Sequence, residues 1–156
     1  VREEIGSDAL KFIFLTKKFD THLEFDISSL KEQNSSNPIF YINYAHARVY
    51  SLFEKSEFSI EDISNYSFDN INDESANLLV YALMLSETIE NAFEQRMPNK
   101  LTDYLYELAS LFHSFYNANK FIGTSKEKDY LKVSLVVARS INIALSIMGI
   151  VAKKKM

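Results

Sequence analysis

The stretch NPIFYINYAHARVYSLFEK, residues 37–55, carries the pattern that indicates the fold of this chain. Pro38 suits the first turn of a helix, where an N–H group is not needed for helical hydrogen bonds. After it, apolar residues recur three and four positions apart, which places them on one face of a helix. That face consists of Ile42, Ala45, Val49, Leu52 and Phe53. The stretch therefore predicts an amphipathic helix over about residues 38–55.

The same spacing recurs along most of the 156 residues, and only three glycines and two prolines interrupt it. The sequence therefore predicts an all-α protein, folded as a helical bundle. We expect a lead-in helix and an extended or irregular segment in residues 1–30, and the bundle itself in residues 31–156. The expected helices lie at about residues 7–18, 38–55, 73–96, 98–123 and 124–148, with a connecting segment and one short helix within 56–72.

Local signals predict how these helices begin, end and face. Asp73 is a candidate N-cap of the third helix, while Gly123 and Gly149 are candidates to end the fourth and fifth. Thr124 and Glu127 have the spacing of a capping box at the start of the fifth helix. The residues expected to face the core are Leu78, Ala82, Leu85, Ile89, Ala92 and Phe93 on the third helix, and Leu101, Leu105, Leu108, Phe112 and Phe115 on the fourth.

Composition narrows the class of protein. Hydrophobic residues make up 47% of the chain, which is enough for the core of one domain. The absence of cysteine rules out disulfides and thiolate metal sites, and it fits a reducing cytoplasm. The net charge of −4 counts against a general nucleic-acid binder, but it leaves room for a local basic patch. No apolar run reaches about 18 residues, so we expect no transmembrane helix. Because the sequence begins with Val, we expect it to be a piece of a longer chain.

No catalytic motif is evident in the sequence. The three histidines, His22, His46 and His113, lie in different segments, and none has a second ligand at metal-binding spacing. The glycines stand alone, so there is no phosphate-binding loop. A serine–histidine pairing between segments stays open, because spacing does not test it. We therefore expect no catalytic residue, metal site or cofactor in this chain.

A second row of side chains lies beside the apolar face of the 37–55 helix. At about 100° per residue, Tyr41, Tyr44 and Arg48 fall together on its flank. Unpaired RNA bases stack on tyrosine rings and arginine binds phosphate, so this row suits single-stranded RNA. A structural explanation stands beside this one, because tyrosines at a core edge are common and Arg48 can pair with Tyr44 or a carboxylate. His46 lies nearer the apolar face, and we expect it to be buried and hydrogen-bonded.

The fourth helix carries a comparable row. Tyr116, Lys120 and His113 lie together beside its apolar face. The last residues, AKKKM, contribute three lysines that can lie near either row in an antiparallel bundle. Two such rows and a basic tail favour a site for single-stranded nucleic acid.

These stretches resemble a known family. NPIFYINYAHARVYS, residues 37–51, is similar to the signature helix of the arginyl-tRNA synthetases, a run of the form Y-x-x-Y-A-H-x-R. SDALKF, residues 7–12, resembles the D-A-L-R motif of their anticodon-binding domain. HLEFD, residues 22–26, and FHSFYNANK, residues 112–120, fit the same domain. The resemblance covers almost the whole chain; the tyrosine–histidine–arginine run is quite specific, whereas D-A-L-R alone would be weak.

The resemblance implies a helical bundle of the class Ia aminoacyl-tRNA synthetase anticodon-binding type, which binds the anticodon loop of arginine tRNA. Every arginine codon has G in the middle, so the central anticodon base is always cytosine and is the natural base to recognise. A flipped cytosine could stack on a tyrosine. The residues implied at the anticodon pocket are Tyr41, Tyr44, Arg48, Tyr116 and Met156, with Lys120 added although some members have an aromatic residue there.

The resemblance also implies a larger parent protein. The HIGH and KMSKS signatures of a class I catalytic domain are absent, so that domain is expected upstream. The parent would join arginine to its tRNA using ATP and magnesium, as a cytoplasmic monomer without membrane association. This chain would position the tRNA and check its identity, without bond chemistry of its own.

Three departures from the family pattern stand out. Lys11 replaces the arginine of D-A-L-R, Asn43 stands where glutamine is common, and KKKM replaces a tail that is often Glu-Arg-Met. Three alternatives remain: the matching domain of a sister enzyme such as cysteinyl-tRNA synthetase, a helical module whose tyrosine rows bind a protein, and a hidden enzyme, against which the missing motifs count. The Tyr-Ala-His-Ala-Arg run counts against the first, and steep salt dependence of binding would count against the second.

Overall fold

The computed structural model of the chain describes residues 6–18, 27–69 and 71–156. This part contains α-helices and one short 3₁₀ helix, without a strand, which confirms the predicted all-α class. The predicted extended segment of residues 19–30 lies mostly outside it, as does His22. The helices are α1 Ser7–Thr16, the 3₁₀ helix Ser29–Lys31, α2 Pro38–Lys55, α3 Ile60–Asn65, α4 Asp73–Leu83, α5 Leu85–Glu94, α6 Asn99–Ala118 and α7 Glu127–Ile147.

Helix α7 forms the centre of the bundle. It packs against α2, α3, α4 and α6, while α5 packs against α4 and α6. Among the described residues, α7 is also the one helix long and apolar enough to cross a membrane. Most of its apolar window is buried against the other helices, and Glu127 and Asp129 are buried in its first turn. These features are those of a core helix.

Helix α1 belongs to the same packed core. Ala9 and Phe12 are buried in the main hydrophobic cluster, and the helix contacts α2 and α6. It ends at Thr16, two residues before the predicted end. The predicted division of the chain at residue 30 stays a prediction.

Helix α2 has the bounds that the sequence predicts. The side-chain oxygen of Asn37 accepts a hydrogen bond from the Phe40 N–H at 3.2 Å, and Pro38 occupies the first turn. The predicted core face is buried except at Phe53, which is half-buried. The predicted core face of α6 is buried at all five positions. These two faces meet in the core beside α7 and fix which flanks of α2 and α6 stay accessible.

The helix predicted over residues 73–96 is in fact two helices. The chain breaks at Met84, where ψ is 0°, so α4 and α5 are separate. Asn72 rather than Asp73 is the N-cap, because its side chain accepts a first-turn N–H. Phe93, which was predicted to face the core, is 83% exposed. A face assigned along one continuous helix loses its register across such a break.

The loop between α6 and α7 also differs from the prediction. Helix α6 ends at Ala118, so Gly123 lies in the loop and does not end the helix. The predicted capping box is absent, because the Glu127 carboxylate binds other donors. One of its oxygens accepts the Gly123 N–H at 2.7 Å, and the other accepts the Ser56 hydroxyl at 2.6 Å. The Thr124 hydroxyl donates to a carbonyl of the loop before it. Glu127 therefore joins this loop to the end of α2.

Candidate nucleic-acid interface

The flanks of α2 and α6, together with residues 154–156, enclose a pocket of about 350 Å³. Four of its lining side chains are cations and one is a carboxylate, although the chain as a whole carries a charge of −4. Positive charge gathered in one cleft attracts polyanions more strongly than the net charge suggests. The lining residues are Tyr44, Ala47, Arg48, Ser51, Glu54, Lys55, Tyr116, Lys154, Lys155 and Met156.

Arg48 occupies the centre of this lining. Its guanidinium lies 4.5 Å from the ring centre of Tyr44 and 4.3 Å from that of Tyr116. Its Nη2 donates a hydrogen bond to the Tyr44 hydroxyl at 2.6 Å. Such cation–π contacts hold a flexible arginine in one orientation. The contact between Arg48 and Tyr44 that would explain this row structurally therefore exists, and it extends to Tyr116 on the facing helix.

His113 supports Arg48 from behind. The Arg48 Nη1 lies 3.3 Å from the His113 Nδ1, and the His113 Nε2 lies 3.3 Å from the Tyr41 carbonyl oxygen. Because arginine only donates, Nδ1 accepts and Nε2 carries the proton. Burial lowers the pKa of His113; the hydrogen bond to the Tyr41 carbonyl opposes this effect, and the Arg48 charge adds to it. A neutral His113 can therefore accept from Arg48 at neutral pH.

Tyr41 lies beside the pocket and is not part of its lining. Its ring packs against the rings of His113 at 4.5 Å and Tyr106 at 5.3 Å between centres. The ring of Tyr44 stacks on His113 at 5.4 Å with an interplanar angle of 27°. Tyr41 therefore belongs to an aromatic cluster that supports Tyr44 and Arg48.

The last residues reach the pocket after a tight turn at the end of α7. Gly149, with φ of 67°, ends the helix as predicted, and the Ile150 N–H returns to the Leu145 carbonyl. The Lys11 Nζ donates a hydrogen bond to the Gly149 carbonyl at 2.7 Å. The lysine that replaces arginine in the D-A-L-R motif thus connects α1 to this turn.

Beyond the turn, the chain runs along α2. The Lys153 N–H donates to the Asn43 Oδ1 at 2.9 Å, and the Lys153 carbonyl lies 2.7 Å from the His46 Nδ1. His46 is 1% exposed, so the prediction of a buried, hydrogen-bonded histidine is confirmed. Farther on, Lys155 pairs with Glu54 at 3.0 Å. Residues 154–156 therefore form one wall of the pocket.

The structure brings most of the predicted site residues together. Tyr44, Arg48, Tyr116 and Met156 line the pocket, and Tyr41 is one layer behind. Lys120 is exposed and does not line it. The flank that groups Lys120 with Tyr116 requires a helix through residue 120, but α6 ends at Ala118.

Four lining residues of α2 are absent from the predicted set. Ala47, Ser51, Glu54 and Lys55 face the pocket together with Tyr44 and Arg48. From Tyr44 onward these positions follow one another along α2 in steps of three and four residues, which is a signal that the sequence contains. In the part of the chain that the structure describes, no group of three or more histidine and carboxylate side chains is placed to hold a metal ion.

Comparisons with known proteins identify the family of the chain. A family model described as the DALR anticodon binding domain matches residues 42–156. The chain is 53% identical over all its residues to the arginine–tRNA ligase of Aliarcobacter butzleri and 49% identical to that of Campylobacter lari. A crystal structure from Campylobacter jejuni, described as an arginyl-tRNA synthetase, superposes with a TM-score of 0.96 at 52% identity, over 99% of this chain and 34% of that one.

More distant relatives share the fold. The Thermus thermophilus arginyl-tRNA synthetase superposes with a TM-score of 0.76 at 24% identity, over 98% of this chain and 27% of that one. The chain spans about 30% of the length of the curated relatives that it matches. The resemblance noted in the sequence is thereby confirmed. With its bundle, its basic aromatic pocket and these matches, the chain belongs to the family of DALR anticodon-binding domains of the arginyl-tRNA synthetases.

Proposed function

We propose that the pocket formed by α2, α6 and residues 154–156 binds the anticodon loop of arginine tRNA and recognises its central cytosine. The observation that carries the proposal is Arg48, held between the rings of Tyr44 and Tyr116 in a lysine-rich pocket of an acidic chain. Burial of apolar residues does not require a guanidinium at this position. Recognition of an unpaired base beside a phosphate uses these two kinds of group together.

The chemistry of the lining divides into two parts. Tyr44 and Tyr116 offer aromatic surface for a base, with Tyr44 39% exposed. Lys55 and Lys154 offer charge for the phosphates on either side. A volume of about 350 Å³ lies at the small end of the range for ligand pockets, roughly 300–1,000 Å³. One extruded nucleotide fits this size better than a paired stem does.

The activity of the whole protein is part of the same proposal. The matched relatives are arginine–tRNA ligases, which supports this parent over the cysteinyl alternative. The parent would join arginine to tRNA with ATP and Mg²⁺, as a monomer in the cytoplasm. Its catalytic domain would lie outside this chain. Tyr41, Lys120 and Met156 would contribute to tRNA binding and take no part in the bond chemistry.

The test is fluorescence anisotropy of this chain with a labelled arginine anticodon stem-loop at low salt. A second loop with another base at the central position gives the comparison. We expect tighter binding of the cytosine loop and a steep fall in affinity with salt. Arg48→Ala should weaken binding and flatten that salt dependence, whereas Lys17→Ala, an exposed charge on the α1 side, should change neither.

The results of this experiment distinguish recognition of cytosine from general RNA binding and from protein binding. Equal binding of both loops would refute recognition of cytosine and leave a general RNA surface. Binding that the Arg48→Ala variant retains in full would place the RNA site elsewhere. If RNA does not bind and a protein partner binds with little salt dependence, the protein-interaction alternative replaces this proposal.

A further inference from the structure

We propose that Asn43 and His46 are positioning residues of the pocket, because they hold the backbone of Lys153 and so keep residues 154–156 in place as its wall. Neither side chain lines the pocket itself. The inference rests on the proposed RNA-binding function, since positioning of the wall matters only if RNA meets it. These two hydrogen bonds between α2 and the backbone of Lys153 form a tail clamp.

The clamp acts on both polar groups of one residue. The Lys153 N–H is held by the Asn43 Oδ1 at 2.9 Å, and the Lys153 carbonyl by the His46 Nδ1 at 2.7 Å. Asn43 and His46 are three residues apart on α2, so they project from the same side of the helix. A residue fixed at its N–H and its C=O has a defined position and direction. The three residues after it therefore start from a fixed point.

Packing alone does not explain why the polar side chains of Asn43 and His46 are buried. Asn43 is 4% exposed and His46 is 1% exposed. A buried polar group is unfavourable unless it is hydrogen-bonded, so an apolar residue would serve the core better. The Asn43 Nδ2 donates within α2 to the Ile39 carbonyl at 3.1 Å, which leaves Oδ1 for the tail. Each side chain thus directs one polar atom at the backbone of Lys153.

A second anchor holds the tail upstream of the clamp. The Lys11 Nζ binds the Gly149 carbonyl at 2.7 Å, and Ile150 is 2% exposed in the core. The segment from Gly149 to Lys153 is therefore fixed at both ends. Loss of the clamp would free only the residues that follow Ile150. The bundle would remain folded, and only surface contacts such as the exposed Lys155–Glu54 pair would still hold residues 154–156 at the pocket.

Loss of the tail clamp should weaken RNA binding because residues 154–156 are then no longer ordered before RNA binds. A wall that is already ordered adds contacts to RNA without an ordering penalty, whereas a free tail must be ordered at each binding event. The effect of a clamp variant should then vanish when the tail itself is absent. A residue that acts through the core would weaken binding in both forms of the chain.

The first experiment is a double-mutant cycle on stem-loop binding. His46→Leu is measured in the full chain and in a chain shortened by residues 153–156. We expect roughly fivefold to tenfold weaker binding in the full chain, the effect of one lost hydrogen bond, and no further loss in the shortened chain. His46→Asn, whose amide N–H can replace Nδ1–H, should restore most of the affinity. Equal losses in both chains, or no rescue, would overturn the proposal.

A second pair of variants avoids the core. Lys153→Pro removes the N–H that Asn43 binds, while Lys153→Ala keeps it, and the Lys153 side chain is exposed. The alanine variant should lose only the effect of one charge, and the proline variant should bind as weakly as the shortened chain. Equal affinities of the two variants would overturn the clamp.

Amide hydrogen exchange without RNA separates this inference from the proposed function. The Lys153 amide should exchange roughly fivefold to tenfold faster in His46→Leu than in the original chain, while amides of α7 are unchanged. Equal exchange at Lys153 would refute the clamp even if RNA binds. Failure of the original chain to bind the stem-loop, with exchange at Lys153 altered as expected, would instead refute the proposed function.

Discussion

Two tyrosine clusters of this chain differ in the charge that surrounds them. Tyr44 and Tyr116 enclose Arg48 beside lysines. Tyr81 and Tyr104, between α4 and α6, stack closely, at 5.5 Å between centres and 9° between planes, next to Asp103 and Glu107. Tyr81 and Tyr104 lie nearly parallel, yet the carboxylates of Asp103 and Glu107 beside them repel phosphate. Stacked tyrosines therefore do not by themselves indicate an RNA site, and the surrounding charge decides.

Burial separates the clusters further. Tyr104 is 4% exposed, and its hydroxyl donates to the Ala82 carbonyl at 2.7 Å. The Ser140 hydroxyl binds the same carbonyl at 3.0 Å. Tyr44, in contrast, is 39% exposed. The first cluster can receive a ligand, whereas Tyr104 holds α4, α6 and α7 together.

The largest effect should come from the buried cluster. Tyr104→Ala removes a buried ring and a hydrogen bond, and we expect it to lower the free energy of unfolding by about 3–5 kcal/mol. Urea denaturation followed by circular dichroism measures this. At a temperature where the variant is folded, its affinity for the anticodon stem-loop should be unchanged. A specific loss of RNA binding in folded Tyr104→Ala would break the comparison.

Tyr44→Ala should have the opposite profile. If a base stacks on this ring, the variant loses about 1–3 kcal/mol of binding free energy. Its unfolding free energy should change little, because Tyr44 lies at the surface. Phe93→Ala is a matched control, since Phe93 is an exposed aromatic residue away from the pocket. The assignment fails if both variants bind the stem-loop equally well by anisotropy.

A smaller effect should distinguish charge from shape at Arg48. Arg48→Lys keeps the charge but loses the flat group that lies between the two rings and donates to Tyr44. We expect a loss of about 1 kcal/mol in stem-loop binding, with the dependence on salt nearly unchanged. A full return of affinity in this variant would show that charge alone suffices. Titrations at several salt concentrations supply both quantities.

The smallest effects concern pH, and the two clusters should act at opposite ends of the scale. Burial lowers the pKa of His46 and His113 below the usual 6.5. The unfolded chain therefore binds protons first, so stability is full above pH 6.5 and falls as the pH drops below it. His113→Gln should reduce this acid-side slope in urea titrations. An unchanged slope in that variant would contradict the assignment.

Tyr104 should act on the alkaline side. Burial raises its pKa to about 12 from 10. The folded state holds the proton longer than the unfolded state, so this contribution is full below pH 10 and is lost as the pH rises towards 12. Tyr104→Phe, which keeps the ring, should remove the alkaline contribution in urea titrations above pH 10. If the alkaline slope persists in that variant, another group causes it.

Sequence predicts those features of the fold that depend on neighbouring residues and misses those that depend on distant ones. The bounds of α2 depend on Asn37, Pro38 and an uninterrupted period, all of which are local. The break at Met84 has no glycine or proline to mark it, so no local signal in the sequence predicts it. Lys120 lies outside the pocket lining because α6 ends before it, and the ends of helices are the features that sequence predicts least well.

The site shows the same division. Tyr44 and Arg48 are predictable because they share a flank of one helix. The contacts of the tail are not, since Lys153 meets residues 107 and 110 positions earlier in the chain. Helical periodicity contains no information at such a distance. The family resemblance, rather than any pattern within the helices, placed Met156 at the pocket.

The Lys11–Gly149 hydrogen bond joins residues 138 positions apart, which bears on the order of folding. The helix pairs of the core include close neighbours in sequence, such as α4 with α5 and α5 with α6. Contacts between distant residues close the largest loops, so they are the slowest to form. In stopped-flow refolding, helical signal should therefore develop before the ability to bind RNA. On the proposed function, the chain would become competent for RNA recognition only when α1 and α7 have met.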